Sequence, residues 1–279
     1  MANSPGTRRL AGTSFLEEGV GVPVVLVHGA VCDHRIWQAQ RAFIASRWRY
    51  IALDLHYHGP WPWPDDGVRY AMVDHVAQVR EFLQALAAGP VHLVGQSYGG
   101  HLAVRLALDH PELVLSLVLQ EPAVESLVDG PQAQDILDER QRAFAPAGAA
   151  LREGRPVEAA QLLVEALVNQ GPGTFQAVPD GLRAMVRDNA RTLPLLFKAP
   201  APPPLTCARV GQLQMPTLII NGAGTMRYYA CIGEKLAACI PGSRREVVDG
   251  ASHGIETQNP AAWAQLVREF LDGAAVPHR

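Results

Sequence analysis

The chain has 279 residues, of which 48% are hydrophobic and 18% are charged. This composition is typical of a folded globular protein and excludes a disordered chain, and the length suits one large α/β domain with an insertion. The formal net charge of -3 and the pI near 6.4 predict no surface for nucleic acid or anionic lipid.

The amino-terminal region carries Arg8 and Arg9, but polar residues interrupt the sequence after them, so we expect no signal peptide. No stretch reaches the ~20 uninterrupted apolar residues that a membrane span needs. We therefore expect a cytoplasmic protein without membrane or nucleic-acid partners, either a monomer or a homodimer. The cysteines at positions 32, 207, 231 and 239 contain no Cys-x-x-Cys pair and are interpreted as free thiols.

Short runs of aliphatic and β-branched residues, separated by helical patterns, predict a mostly parallel α/β sheet. Continuous apolar runs of this kind suit strands that helices cover on both faces. The segments 72–87 and 99–110 have apolar residues on one helical face and fit such helices. The predicted strands are 22–27, 50–53, 91–94, 113–119, 217–220 and 244–248.

The strand pattern stops between Pro122 and Leu205. Helical patterns follow one another there without a strand, which predicts an inserted helical cap. A Pro-rich extended connector ends it, and Thr206 is a candidate cap of the next short helix. The helical patterns are 133–144, 156–169 and 182–192, and the predicted domains are an α/β core of residues 1–122 and 205–279 with a cap of residues 123–204.

The sequence GQSYGG at positions 95–100 lies between a predicted strand and a predicted helix. A nucleophile on such a sharp turn has strained backbone angles, and its neighbours at plus and minus two must be small for the helix to pass close to the strand. The helix N-terminus also favours developing negative charge. Ser97 is therefore the candidate nucleophile, and a glycine-rich turn without chemistry is the alternative.

Three further segments, together with this turn, resemble motifs of the α/β-hydrolase superfamily in the family's order. They are the sequence HGA at 28–30, the segment 54–59 with Asp first and Gly last, and the sequence SHG at 252–254. The resemblance implies the α/β-hydrolase fold and a cofactor-free serine hydrolase. It places the oxyanion hole at the backbone N–H groups of Ala30 and Tyr98, and makes His28 a structural residue of that loop.

His253 is the candidate base. It follows the last predicted strand and precedes an amphipathic helix at 260–271, on a loop from which it can reach Ser97. Histidine suits the role because its unperturbed pKa near 6.5 allows proton transfer near neutral pH. This position and the family resemblance single out His253 among the ten histidines.

The triad acid departs from the family pattern. The family usually places it after the strand that follows the cap, where this chain has Thr225, which cannot supply a charge. Glu121 is the predicted substitute, because it ends the strand after the nucleophile strand, and some superfamily members take their acid from there. Strand ends on that edge point into the site. The alternatives are Asp54, Glu125 and Asp249, and a cap-entry role is the other interpretation of Glu121.

Side chains near the expected pocket mouth are candidate substrate contacts. For the two tryptophans of the sequence WPWP at 61–64, an exposed surface loop is the alternative. The spacing of His28, Cys32 and His34 superficially resembles metal ligands, but no fourth ligand lies nearby, so no metal is predicted. The predicted pocket residues are Cys32, Trp37, Trp61 and Trp63.

These residues predict acyl transfer through an acyl-enzyme on Ser97, with His253 as base and Glu121 as acid. The cap and the modest charge favour a small or medium, mainly apolar carboxylic ester or lactone, as in a carboxylesterase or lactonase. Carbon–carbon bond hydrolysis, cofactor-free perhydrolysis and a ligand-binding protein with lost turnover are the alternatives. Dehalogenation is disfavoured because it needs a carboxylate where Ser97 stands.

Overall fold

The computed structural model describes residues 6–168, 171 and 173–274. Their strands are β1 (Thr7–Leu10), β2 (Thr13–Glu18), β3 (Pro23–Val27), β4 (Arg49–Leu53), β5 (Val91–Gln96), β6 (Val114–Gln120), β7 (Thr217–Gly222) and β8 (Arg244–Val248). They form one sheet in the order β1-β2-β4-β3-β5-β6-β7-β8. The strands from β3 to β8 pair in parallel, whereas β2 runs antiparallel to both β1 and β4. The predicted mostly parallel α/β sheet is confirmed.

All the predicted strands are present, with ends that differ by two residues or fewer. The sequence analysis missed the hairpin of β1 and β2, because charged residues interrupt its apolar pattern. Ala11 and Gly12 form its two-residue turn, and both have a positive φ, 47° and 79°, as the favoured hairpin turns require.

The central strands are buried on both faces because successive side chains point in opposite directions. In β3, Val25 and Val27 belong to one apolar cluster, and Val24 and Leu26 belong to the other. Helices on each face of the sheet complete these two clusters. This arrangement explains why the strands read as continuous apolar runs in the sequence.

The helices of the described residues surround this sheet. Within the described ranges, none of them combines the length and the apolar character that crossing a bilayer demands; a cytoplasmic location stays a prediction. The α-helices are α1 (Gln38–Ala45), α2 (Met72–Leu86), α3 (Tyr98–Asp109), α4 (Ala133–Arg152), α5 (Pro156–Leu167), α6 (Asp180–Asn189), α7 (Leu193–Lys198), α8 (Cys207–Val210), α9 (Arg227–Cys239), α10 (Ile255–Gln258) and α11 (Pro260–Gly273).

Between β6 and β7 the described residues form helices and no strand. The segment's two ends meet, since the N–H of Leu205 donates to Ser126 Oγ at 2.9 Å and Ser126 Oγ donates to the Leu205 carbonyl at 3.0 Å. We call the chain between these two residues the helical insert. Asn169, the last residue of one predicted helix, lies outside the described residues, and the boundaries of a separate cap stay a prediction. As predicted, Thr206 caps α8 by accepting from the Arg209 N–H.

The cysteines correct one prediction. Cys207 and Cys239 form a disulfide, so the interpretation of all four cysteines as free thiols is wrong. The pair forms because α8 packs against α9 and brings the two Cα atoms to 5.2 Å, within the range for a disulfide. No spacing motif in the sequence signals a pair that is 32 residues apart. Cys32 and Cys231 are free thiols.

Candidate active site

Ser97 lies at the turn from β5 to α3 with φ 56° and ψ -115°. The turn needs its small neighbours: a Cβ on Gly95 would lie 2.4 Å from the Gly99 carbonyl oxygen, and a Cβ on Gly99 would lie 2.4 Å from that of Val27. Both distances are shorter than any real carbon contact. The predicted reason for the two glycines is therefore confirmed, because any side chain there would separate helix from strand.

Hydrogen bonds anchor this turn to the end of β6. The Ser97 N–H donates to the Gln120 carbonyl at 2.9 Å, and the Ser97 carbonyl accepts from the Ala123 N–H at 3.1 Å. The bonded segment includes Glu121, which lies between these two partners in the sequence. The nucleophile candidate and the acid candidate are thus held together through backbone bonds.

Three of the six described non-glycine residues with a positive φ lie at this site. Val31 and Glu121, like Ser97, have a positive φ, at 52° and 47°. Such angles are uncommon for residues other than glycine, and they are strongly disfavoured for a β-branched side chain such as valine. Strain of this kind costs about 1–3 kcal/mol per residue and clusters at functional sites. The other three, Ala11, Tyr57 and Ala87, do not line the cavity, so the strain supports the assignment of this region without defining it alone.

Glu121 is fully buried, and its carboxylate receives several hydrogen bonds. Its Oε1 accepts from the Asn221 side-chain amide at 3.0 Å and from the Gly222 N–H at 2.9 Å. Its Oε2 lies 3.3 Å from His253 Nδ1 and accepts from the Thr225 hydroxyl. These donors hold the Glu121 side chain against one ring nitrogen of His253, as a triad acid requires.

The other carboxylates considered as the acid lie elsewhere. Asp54 pairs with His34 at 2.7 Å, Glu125 pairs with Arg140, and Asp249 is exposed. Thr225, at the family's usual acid position, donates to Glu121 instead of replacing it. The structure therefore brings Glu121 to His253 and leaves the three alternatives away from it.

His253 lies on the loop between β8 and α10 and is buried. Gln120 lies beneath it, with the side-chain amide 3.5 Å from the His253 carbonyl oxygen and the amide oxygen accepting from Trp263 at 2.7 Å. His253 and Ser97 line the same cavity. The structure thus places the candidate base and nucleophile at one site, with the second ring nitrogen of His253 unused by Glu121.

The predicted oxyanion donors lie beside Ser97. Ala30 lines the cavity, and Tyr98 is the first residue of α3, where an N–H has no acceptor within the helix. His28 is fully buried and structural in its contacts: Nδ1 bonds the Gly29 carbonyl at 2.8 Å and Nε2 accepts from the Leu55 N–H at 3.1 Å. Burial lowers the pKa of His28 to about 4, so this imidazole stays neutral near pH 7.

A cavity of about 270 Å³ opens at Ser97. Its floor comes from the sheet edge and its cover comes from the helical insert, whose contributions are almost entirely apolar. Of the described lining residues, none is a lysine or an arginine. The lining consists of Ala30, Val31, Cys32, Ile36, Gln96, Ser97, Val164, Leu167, Val168, Ala177, Val178, Pro179, Leu182, Met185, Val186, His253, Gly254, Glu256, Thr257 and Gln258.

The structure places Cys32 in this cavity but corrects the other pocket predictions. Trp37 is fully buried against Trp263, with ring centroids 5.8 Å apart, and belongs to the core. Trp61 donates to Asp54 at 3.0 Å, and Trp63 donates to the Tyr57 carbonyl at 2.7 Å. None of the three tryptophans lines the cavity. The prediction for Trp37 rests on its closeness in sequence to the oxyanion loop, and that for Trp61 and Trp63 on the segment after Gly59. Closeness in sequence does not fix the direction of a side chain.

Sequence reasoning missed Glu256, a second carboxyl group in the cavity. It is 1% exposed and hydrogen-bonded to the Gln120 side chain. Burial raises the pKa of Glu256 to about 7, so a substantial fraction of the group is protonated at neutral pH. A carboxyl three residues after the candidate base, at the start of a short helix, was the available signal in the sequence.

Among the described residues, one group has a metal-ligand arrangement: Asp33, His34 and Asp54, whose ligand atoms lie within 4.8 Å of one another. Protein groups already engage them: Arg35 and Asn189 bind Asp33, and His34 binds Asp54. These contacts account for the buried charges. None of these three residues lines the Ser97 cavity, although the preceding residue, Cys32, does.

A model of the alpha/beta hydrolase fold family matches residues 22–168, which is more than half of the chain. The chain therefore belongs to the alpha/beta hydrolase fold family. This match covers the candidate oxyanion loop, the nucleophile turn and Glu121. The predicted family membership is confirmed.

Individual relatives extend this result over most of the chain. One relative is a Bacillus subtilis protein that is 27% identical over 253 residues, which are 89% of each chain. It is named as a proposed 2-succinyl-6-hydroxy-2,4-cyclohexadiene-1-carboxylate synthase. The structure of a thermophilic esterase from Thermogutta terrifontis has a TM-score of 0.74 and 25% identity, covering 95% of this chain and 94% of that one. Est816, described as an N-acyl homoserine lactone degrading enzyme, has a TM-score of 0.74 and 23% identity, covering 95% and 99%.

Proposed function

We propose that this protein is a serine hydrolase that cleaves a small or medium, mainly apolar carboxylic ester or lactone through an acyl-enzyme on Ser97. The observation that carries this proposal is the buried pair of Glu121 and His253, 3.3 Å apart, whose histidine lines the same mainly apolar cavity as the strained Ser97. A nucleophile, a base and an orienting carboxylate are the parts that acyl transfer needs.

In the first half of the reaction, Ser97 Oγ attacks the substrate carbonyl carbon and His253 takes the serine proton. Glu121 holds the ring in the orientation that leaves its other nitrogen free for this transfer, and its charge stabilises the imidazolium. The N–H groups of Ala30 and Tyr98 bind the oxyanion; donors of this kind are worth roughly 3–4 kcal/mol each. His253 then gives the proton to the leaving alcohol.

In the second half, water attacks the acyl carbon of the Ser97 ester, with His253 again as the base. The proton returns to Ser97 as the tetrahedral intermediate collapses, and the carboxylic acid leaves. The apolar cover over the cavity supports this route, because excluding bulk water strengthens the charge interactions of the site.

The cavity indicates the size and charge of the acyl group. Its volume of about 270 Å³ lies just below the ~300–1,000 Å³ of sites for drug-sized ligands, which favours a short acyl chain. None of the described lining residues offers a cation, and Glu256 adds an acidic group. An acyl group with its own carboxylate would meet repulsion and no partner. We therefore favour neutral substrates.

The lack of a cation in the described lining separates the chain from one of its relatives. The Bacillus subtilis relative is named for a product that carries a carboxylate. The Thermogutta terrifontis structure is that of an esterase. The cation-free lining favours hydrolysis of a neutral ester over a reaction on a substrate that carries a carboxylate. Carbon–carbon hydrolysis of a neutral ketone is the remaining alternative on these residues.

A matched pair of esters tests the proposal. We expect the purified protein to hydrolyse p-nitrophenyl butyrate with a kcat/KM at least ~10-fold higher than p-nitrophenyl hemisuccinate at pH 8, since the two acyl groups differ mainly in the terminal charge. Alkyl-substituted δ-lactones of graded length then define the acyl limit. Ser97→Ala is the control and should be inactive. Equal rates for Ser97→Ala and the wild type, or a preference for hemisuccinate, would contradict the proposal.

A further inference from the structure

Tyr229 has no part in the mechanism above, yet it lies at the centre of the site. It is the third residue of α9, shortly after the turn that carries Thr225, and it is 4% exposed. It does not line the cavity. This buried tyrosine therefore packs on the candidate base without lining the cavity.

The ring of Tyr229 packs on the ring of His253. The two centroids are 4.2 Å apart and the planes are tilted by 40°. This contact leaves the edge of the imidazole free for Glu121 and for Ser97. Tyr229 therefore limits the rotation of the candidate base without competing for its nitrogens.

The phenol of Tyr229 lies near the side chain of Ser97. Burial raises the pKa of Tyr229, and the nearby Ser97 side chain opposes part of that rise. The phenol therefore remains protonated throughout the neutral range and keeps a hydrogen to donate. A serine hydroxyl has one hydrogen and two lone pairs, so Ser97 can accept from the phenol while its own hydrogen turns toward His253.

The backbone of Tyr229 is linked to Glu121, the candidate acid, through Asn221. The side-chain amide of Asn221 donates to the Tyr229 carbonyl at 3.2 Å and to Glu121 Oε1 at 3.0 Å. Asn221 is itself held, because its amide oxygen accepts from Arg245 at 3.0 Å. The same asparagine thus fixes the position of the acid and the start of α9.

We infer that Tyr229 is a positioning residue that holds the Ser97 hydroxyl through its phenol and the His253 ring through its aromatic face. This inference rests on the ester hydrolysis proposed above. Tyr229 forms no covalent bond and transfers no proton to the substrate. Its contribution is to keep Ser97 Oγ in the one rotamer from which it reaches both His253 and the acyl carbon.

Two substitutions separate the phenol from the ring. Tyr229→Phe removes the hydroxyl and keeps the ring, and we expect kcat for p-nitrophenyl butyrate to fall ~10-fold, the value of one lost hydrogen bond. Tyr229→Leu removes both, and we expect a fall of ~100-fold on the same basis. KM should stay within about twofold in both variants, because Tyr229 does not line the cavity.

The neighbouring Tyr228 provides the matched control. It is equally buried and packs edge-to-face on Tyr229 at 4.8 Å, but its ring lies under Arg140. Tyr228→Phe should keep kcat within about twofold. Melting temperatures of all three variants show whether the folded state is retained. If the role of Tyr229 were purely structural, its substitution would lower the melting temperature without the selective fall in kcat at nearly constant KM.

The outcomes distinguish this inference from the proposed function. Wild-type kcat in a folded Tyr229→Phe, with Ser97→Ala inactive, would overturn the inference and leave the esterase proposal standing. Activity in Ser97→Ala would overturn both. If Tyr229→Leu does not fold, the comparison of kcat between Tyr229→Phe and Tyr228→Phe still tests whether the Tyr229 phenol positions Ser97.

Discussion

His253 and the histidines buried on the other side of the nucleophile turn differ in the charge of their partners. The ring of His253 faces the carboxylate of Glu121 at 3.3 Å. On the far side, His28, His58 and His75 form a histidine cluster with ring centroids 4.8 and 5.9 Å apart. Their side-chain partners are backbone groups and, for His75, the Tyr98 phenol at 2.8 Å.

Burial without a bonded carboxylate keeps the histidine cluster neutral. It lowers the pKa of His28 to about 4 and that of His58 to about 3, and it places the pKa of His75 well below the usual value. A ring that resists protonation cannot store the proton that a serine gives up. A bonded carboxylate thus distinguishes His253 from the histidine cluster, and a place in the Ser97 cavity distinguishes it from His34, which is bonded to Asp54.

The largest expected effect is from His253→Gln. It removes the proton acceptor while keeping a polar side chain, and we expect kcat to fall roughly 10⁴-fold, as for other serine hydrolase bases. The control from the histidine cluster is His58→Phe, which should keep kcat within about threefold. Steady-state kinetics on p-nitrophenyl butyrate measure both. Similar losses in the two variants would break the distinction between the two regions.

Glu121→Gln tests the carboxylate itself. Glutamine preserves the size of the side chain but removes the charge that orients and stabilises the imidazolium, so we expect kcat to fall roughly 10³-fold with little change in KM. Glu125→Gln is the matched control, since Glu125 pairs with Arg140 and does not contact His253. If the Glu121 variant kept wild-type kcat, another residue would have to supply the acid.

The histidine cluster predicts a loss of stability in acid. Between pH 6.5 and about 4, His28 and His58 take up protons in the unfolded chain but stay neutral in the folded protein. The free energy of unfolding therefore falls as the pH falls. These two groups together predict a loss of roughly 4 kcal/mol between pH 7 and pH 5. His58→Phe should reduce that loss by roughly 2 kcal/mol. Urea unfolding at the two pH values measures it, and a stability independent of pH in this interval would disprove the prediction.

The smallest expected effect concerns Glu256. Because its pKa is raised to about 7, the carboxyl is mostly neutral at pH 6 and mostly charged at pH 8. The rate for p-nitrophenyl hemisuccinate relative to the butyrate should therefore rise roughly 3- to 10-fold as the pH falls from 8 to 6. In Glu256→Gln this ratio should be independent of pH. A wild-type ratio that does not change with pH would show that Glu256 does not act on the acyl group.

Local features of the site could be predicted from the sequence. The Ser97 turn and the His253 loop are short segments whose local backbone geometry requires particular residue types. A short sequence pattern is therefore enough to find them. Glu121 was reached because Thr225 cannot carry a charge, and the structure shows the two side chains hydrogen-bonded to each other. Departures from a pattern were as informative as agreement with it.

Long-range features could not be predicted. The direction of Trp37, the disulfide of Cys207 with Cys239 and the contacts of Tyr229 each depend on how separate helices pack, which no local spacing encodes. The hairpin of β1 and β2 was missed because its charged residues suit an edge of the sheet more than its centre.

Covalent labelling with a fluorophosphonate, followed by peptide mapping, tests the central claim most directly. A fluorophosphonate reacts with a serine that an adjacent base activates: the serine oxygen attacks phosphorus, fluoride leaves, and the phosphonyl group stays on the residue that attacked. We predict one adduct per chain, on the peptide that contains Ser97, with no labelling of Ser97→Ala and slow labelling of His253→Gln. An adduct on another residue, or labelling of Ser97→Ala at the wild-type rate, would contradict the assignment of Ser97 as the nucleophile.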